Sequence, residues 1–193
     1  KEFDQFKRNN LSSRSSQPKW TSIGPFDNPA PASMNRGVGR INVIAYHPTN
    51  SDIIYAGAPS GGFWISNDKG SNWTQSNTDD KPRFGVSAIA VIPVSGSEPI
   101  ILIGTGDRDA NDAPGLGVYI SYDGGINFTE SNDGISNNTV VNKMVVSADD
   151  PNVIFAATTS GIYKSEDQGK SWDRKSSLDF IDLFYHPTDE TFM

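Results

Sequence analysis

Three copies of one eight-residue pattern, Ser-x-Asp-x-Gly-x-x-aromatic, punctuate this chain, each straight after a short apolar run. They are Ser66-Asn-Asp68-Lys-Gly70-Ser-Asn-Trp73, Ser121-Tyr-Asp123-Gly-Gly125-Ile-Asn-Phe128 and Ser165-Glu-Asp167-Gln-Gly169-Lys-Ser-Trp172. The first two serines are 55 residues apart (66 to 121) and the last two 44 (121 to 165). Recurrence of a strand-turn-strand unit at such a period restricts the fold to a stacked or circular array of repeats. Each repeat contains four short strand signals. In the first these are Gly39 to Tyr46, Asp52 to Gly57, Gly62 to Ile65 and Trp73 to Ser76. In the second they are Val86 to Ile92, Ile100 to Gly104, Gly117 to Ile120 and Phe128 to Ser131. The third has Val140 to Val146, Val153 to Ala157, Gly161 to Lys164 and a run starting at Trp172.

The first two strands of each unit are almost wholly apolar, as suits strands buried on both faces, while the later ones alternate. His47-Pro48-Thr49-Asn50 and Asp149-Asp150-Pro151-Asn152 supply turn chemistry between them. No window of helical length shows a 3.6-residue period, which excludes a helical solenoid. The expected fold is all-β, a segment of about three four-stranded β-propeller blades. They span about 39–84, 85–139 and 140–180, with 181–193 starting the next. His186 repeats the His-Pro turn of His47 there. Residues 1–19 read as a polar linker or leader. Lys19-Trp20-Thr21-Ser22 resembles the start of each fourth strand, so 20–25 is expected to be a ring-closing outer strand. Since a ring needs about four to eight blades, the remainder of a longer chain is expected.

Bulk composition narrows the partners. The 193 residues carry a formal net charge of −7 with no basic segment, which argues against nucleic acid and against electrostatic adhesion to anionic membranes. There are no cysteines, hence no disulfides or thiolate metal sites. No apolar run approaches the roughly 20 residues of a membrane helix.

The repeat resembles the Asp-box, or BNR, motif found in sialidases, xyloglucanase-type glycoside hydrolases, sortilin-type receptors and many non-enzymatic bacterial surface proteins. Only Phe128 departs from the usual Trp. The texture around Trp20, Gly24-Pro25, Gly39-Arg40-Ile41 and Ser60-Gly61-Gly62-Phe63-Trp64 is most similar to the last group, some of which are cargo of the type IX secretion system. The resemblance implies export to the cell surface or medium, with a protein or glycan of the cell envelope as partner. It also implies that Asp68, Asp123 and Asp167 are structural, in turns between strands three and four and away from the ligand face. Ser and Asp accept bonds from turn N–H groups, Gly allows positive φ, and the aromatic is expected to pack over its own hairpin.

Catalysis is less well supported. Sialidases of this fold place their first arginine in Arg-Ile-Pro; Arg40-Ile41-Asn42 sits there without the proline, so Arg40 is a candidate ligand residue or a strand-end cap of the channel. Xyloglucanase-type hydrolases carry a catalytic aspartate in Thr-Asp-x-Gly-Gly; here Ala58-Pro59-Ser60-Gly61-Gly62 puts Pro59 at that position. Glycoside hydrolysis needs two carboxylates, and this one is missing. The long loop between the second and third strands of repeat two holds Asp107, Asp109, Asn111 and Asp112. Their spacing opens like a calcium loop, but Asp112 replaces the required Gly and Val118 the bidentate Glu. Two readings stay open, a hard-cation site suited to calcium or a solvated loop held by Asx turns. The expectation is a non-catalytic exported module for protein or glycan binding. The alternatives are a sialidase- or xyloglucanase-like hydrolase and a scaffold of a secretion or motility complex.

Overall fold

The computed structural model describes residues 40–78, 84–109 and 113–184, all within the compact unit Gly39–Met193. The expected leader, the Trp20 strand, Asn111, Asp112 and His186 lie outside the described residues. Among the described residues, twelve strands form three four-stranded antiparallel sheets, each a simple meander. The first holds β1 (Val43–Tyr46), β2 (Ile54–Ala58), β3 (Gly62–Ser66) and β4 (Thr74–Gln75). The second holds β5 (Val86–Ile92), β6 (Ile100–Thr105), β7 (Val118–Ser121) and β8 (Thr129–Glu130). The third holds β9 (Val141–Val146), β10 (Ile154–Thr158), β11 (Gly161–Ser165) and β12 (Asp173–Ser176). Among the described residues no helix is long and apolar enough to cross a membrane.

The sheets stack face against face through their first strands. Between sheets one and two lie Tyr55, Phe63, Val86, Ile101, Ile103 and Tyr119; between two and three lie Ala88, Ile92, Leu102, Met144, Ile154 and Trp172. That sandwiching explains why β5 is buried almost throughout, whereas on β1 Ile44 and Tyr46 are 57% and 65% exposed. Small residues let the first strands approach. A Cβ on Gly104 would stand 2.6 Å from the Val141 side chain, and one on Gly57 2.5 Å from Val86. Real carbon atoms do not come so close, so a methyl there must push sheets apart.

Two of the first strands, β5 and β9, share a local distortion. Val43, Ala88 and Lys143 pair with Gly57, Gly104 and Ala157, the same position in each sheet. The residue just before each is Asn42, Ser87 or Asn142, and the register skips Ser87 and Asn142 as β-bulges. A bulge turns one side chain out of the regular pleat, here towards the next sheet.

Candidate functional site

The repeated turns join β3 to β4, β7 to β8 and β11 to β12. In each, the serine hydroxyl donates to the aspartate, 2.9, 2.7 and 2.8 Å for Ser66, Ser121 and Ser165. It also accepts the glycine N–H, at 2.8, 2.9 and 2.8 Å. Gly70, Gly125 and Gly169 have φ of 87°, 94° and 86°, the left-handed region where a side chain would strain the backbone. Each aspartate then accepts N–H groups four residues on, from Asn72, Asn127 and Ser171. These donors hold the Asp68 carboxyl below its ordinary range, the Asn72 side chain contributing most. Burial pushes Asp123 and Asp167 upward, but bonds from Asn127 and Ser121, and from Ser171 and Ser165, outweigh it. A carboxylate fixed as an acceptor in this way is a poor proton donor or nucleophile.

Two of the three aromatics also reach beyond their own hairpins. Trp172 is only 4% exposed, and its Nε1 donates to Ser131 O of the second sheet at 3.0 Å. Ser131 Oγ returns a bond to Gly169 O at 2.5 Å. Phe128 meets Phe63 of the first sheet edge-on, with ring centroids 5.2 Å apart. Trp73 has no preceding sheet among the described residues; it is 38% exposed and donates to Gly70 O in its own turn. The Ser/Asp/Gly turn is therefore a pin that locks each sheet onto its predecessor.

At the opposite ends of the strands, Arg40 and the start of the long loop meet. The Arg40 guanidinium is bonded to Asp107 Oδ2, and Asp107 Oδ1 accepts the N–H of Asp109 at 3.2 Å. Asp107 is 2% exposed. Beside it, Pro59, Ser60 and Gly61 form the tight turn between β2 and β3. They line a cleft of about 500 Å³ with Arg40, Ile41 and Trp64, and none of its described lining residues is a carboxylate. Trp64 Nε1 donates to Gly61 O at 2.7 Å, fixing the indole across that turn.

The loop carboxylates do not converge. Asp107 faces Arg40, Asp109 points to Arg108 Nε at 3.6 Å, and among the described residues no three His, Asp or Glu gather as a metal cluster. Pairing across 67 residues leaves no local signal, so spacing alone read Asp107 as a free ligand.

A smaller cavity of about 250 Å³ lies along the first strands, lined by Asn42, Ser87, Arg108, Asn142, Lys143 and Met144 among others. Ser87 Oγ donates to Val141 O of the third sheet at 2.6 Å, and Asn142 Nδ2 to Phe180 O at 2.7 Å. Asn42 occupies the same position in the first sheet, yet both its carboxamide atoms are buried without a partner. Leaving such groups unmatched costs about 1–3 kcal/mol each.

No family model matches the chain, and neither does any curated protein. Solved structures do. An ancestral GH74 enzyme superposes with a TM-score of 0.59 at 25% identity, over 70% of this chain and 18% of that one. The GH74 xyloglucanase from Xanthomonas campestris gives 0.51 at 20% identity, over 72% and 22%. YCF48 from Cyanidioschyzon merolae gives 0.46 at 16%, over 70% and 37%. This chain is part of a β-propeller. It spans well under half the length of each of these three structures. The sheets are blades, β1, β5 and β9 are their innermost strands, and the turns between strands three and four lie at the end opposite Arg40 and the long loop.

Proposed function

We propose that this propeller segment is a non-catalytic, exported module of the Asp-box type. It presents the face built by Arg40, the Pro59–Gly61 turn and the long loop to a protein or glycan at the cell envelope. The arrangement of carboxylates on that face carries the reading. Glycoside hydrolysis requires an acid and a second carboxylate across the scissile bond. Proline stands where the hydrolase-like sequence pattern would put one. Asp107, the buried carboxylate nearby, has one oxygen on Arg40 and the other on a backbone N–H. Both oxygens are thus engaged as acceptors within the protein.

The likeness to GH74 enzymes favours a second reading, in which the segment belongs to a larger glycoside hydrolase. A panel of xyloglucan, other neutral glycans, sialylated oligosaccharides and polyuronates separates the two. The expected outcome is retention of a glycan or envelope protein without release of reducing sugar. Turnover that is abolished by Asp107→Asn or Asp109→Asn overturns the proposal. Stable co-purification with a secretion or motility complex would assign the same face to scaffolding instead.

A further inference from the structure

We propose that the seam between the first and second blades is a built-in opening line, along which the first blade separates while the second and third stay clasped. This holds whatever the ligand face binds. Strand register makes the two seams directly comparable. Between blades two and three, three side-chain hydrogen bonds cross the buried interface. Ser87 Oγ donates to Val141 O at 2.6 Å, Trp172 Nε1 to Ser131 O at 3.0 Å, and Ser131 Oγ to Gly169 O at 2.5 Å. The counterparts of these donors one blade earlier are Asn42, Phe128 and Ser76. Asn42 and Ser87 directly precede Val43 and Ala88, which pair with Gly57 and Gly104; Ser76 and Ser131 stand two residues after Thr74 and Thr129, which pair with Ile65 and Ile120. Phe128 and Trp172 close the same turn motif.

None of the three bonds is made at the first seam. A phenyl ring has no N–H to give. Asn42 Nδ2 and Oδ1 and Ser76 Oγ are buried without a partner, and no other buried side-chain nitrogen or oxygen among the described residues is. Every unmatched atom thus falls on one seam, at a position that carries a bond on the other. Apolar packing remains there, with Phe63 edge-on to Phe128 and Val86 against Gly57. Polar contacts at this seam include two at its rims. Arg40 pairs with Asp107 at one end, and at the other Asn77 N donates to Ile126 O at 3.1 Å and Asn77 Nδ2 to Asn127 Oδ1 at 2.9 Å. Arg40 and Asn77 are both exposed, so water weakens these contacts. Separating the first seam brings water to Asn42 and Ser76 and supplies the partners they lack. Separating the second breaks bonds already made. The first blade therefore lies at the low-stability end of the array and opens first.

The 193 residues contain no cysteine, so a single introduced thiol is labelled alone. Val86 and Val141 make matched probes. Both are wholly buried at the start of a blade's innermost strand, and each packs against a glycine of the preceding blade, Gly57 or Gly104. The test is thiol labelling of Val86→Cys and Val141→Cys in the full chain under native conditions, with reagent slow enough that the rate follows the open population. Val86→Cys should react about tenfold faster or more, with the weak urea dependence of an opening smaller than global unfolding. Two repairs copy the second seam into the first. Asn42→Ser reproduces Ser87, and Phe63→Val with Phe128→Trp reproduces Val118 and Trp172. Each should slow labelling of Val86→Cys about tenfold, roughly one hydrogen bond, and leave Val141→Cys unchanged. Slowing by either repair supports the opening line, so one repair that fails to fold does not decide the matter. Equal rates at the two probes, faster reaction of Val141→Cys, a urea dependence equal to that of global unfolding, or slowing by neither repair overturns it.

Discussion

Replacing Trp172 and Trp73 by alanine, one at a time, separates two accounts of the repeated turn. If each aromatic served its own hairpin, the two variants would lose similar stability. The structure predicts otherwise. Trp172 is 4% exposed and lies between the second and third blades, where its truncation opens a cavity costing about 3–5 kcal/mol. The loss includes the donor to Ser131 O, itself worth about 1 kcal/mol. Trp73 is 38% exposed and bonded only within its turn, so Trp73→Ala should cost about 1 kcal/mol or less. With a urea m-value of about 2 kcal/mol/M, the Trp172→Ala midpoint should fall by roughly 1.5–2.5 M and that of Trp73→Ala by under about 0.5 M. Urea unfolding followed by far-ultraviolet circular dichroism reads both. Equal shifts would refute the pin.

Three further outcomes follow from the same contacts. Arg40→Met removes the guanidinium from the buried Asp107 and should destabilise by about 2–4 kcal/mol, reduced from the fully buried case because the arginine is partly exposed; Arg40→Met with Asp107→Leu should recover part of that in thermal melts. Gly104→Ala drives a methyl into Val141 and should cost about 1–3 kcal/mol in urea unfolding, far more than an exposed Gly-to-Ala change at a compatible backbone. The turn carboxylates are held below their ordinary range, so their stabilisation is complete above the unfolded value, about pH 4, and is lost as pH falls through the lower folded values. Urea midpoints measured downward from pH 5 should therefore decline below about pH 4, and Asp123→Asn should flatten that decline.

Much of the fold was legible because its signals are local. Apolar runs such as Ile100–Gly104 fit strands buried on both sides, and the Ser, Asp and Gly spacing specifies a turn complete within a few residues. What escaped is relational. Nothing around Trp172 says that its nitrogen bonds a carbonyl 41 residues earlier, and the motif by itself suggests a local lid. Asp107-x-Asp109-x-Asn111 looks like cation chemistry until Arg40, 67 residues away, is found on the first carboxylate. Asn42, Ser87 and Asn142 become one position only through strand register, because bulges at Ser87 and Asn142 hide the correspondence from simple alignment.

The direction of the pins has a consequence for how the protein is made. Translation runs from the N-terminus, and each blade is locked by an aromatic belonging to the blade after it. Ser131 leaves the ribosome 41 residues before Trp172, a delay of about 2–8 s at cellular elongation rates. During that interval the second blade has its strands but not its clasp, and the edge that will receive Trp172 stays open. Nascent chains of this architecture thus mature one blade in arrears, with the newest sheet always the most vulnerable to chaperone capture or proteolysis.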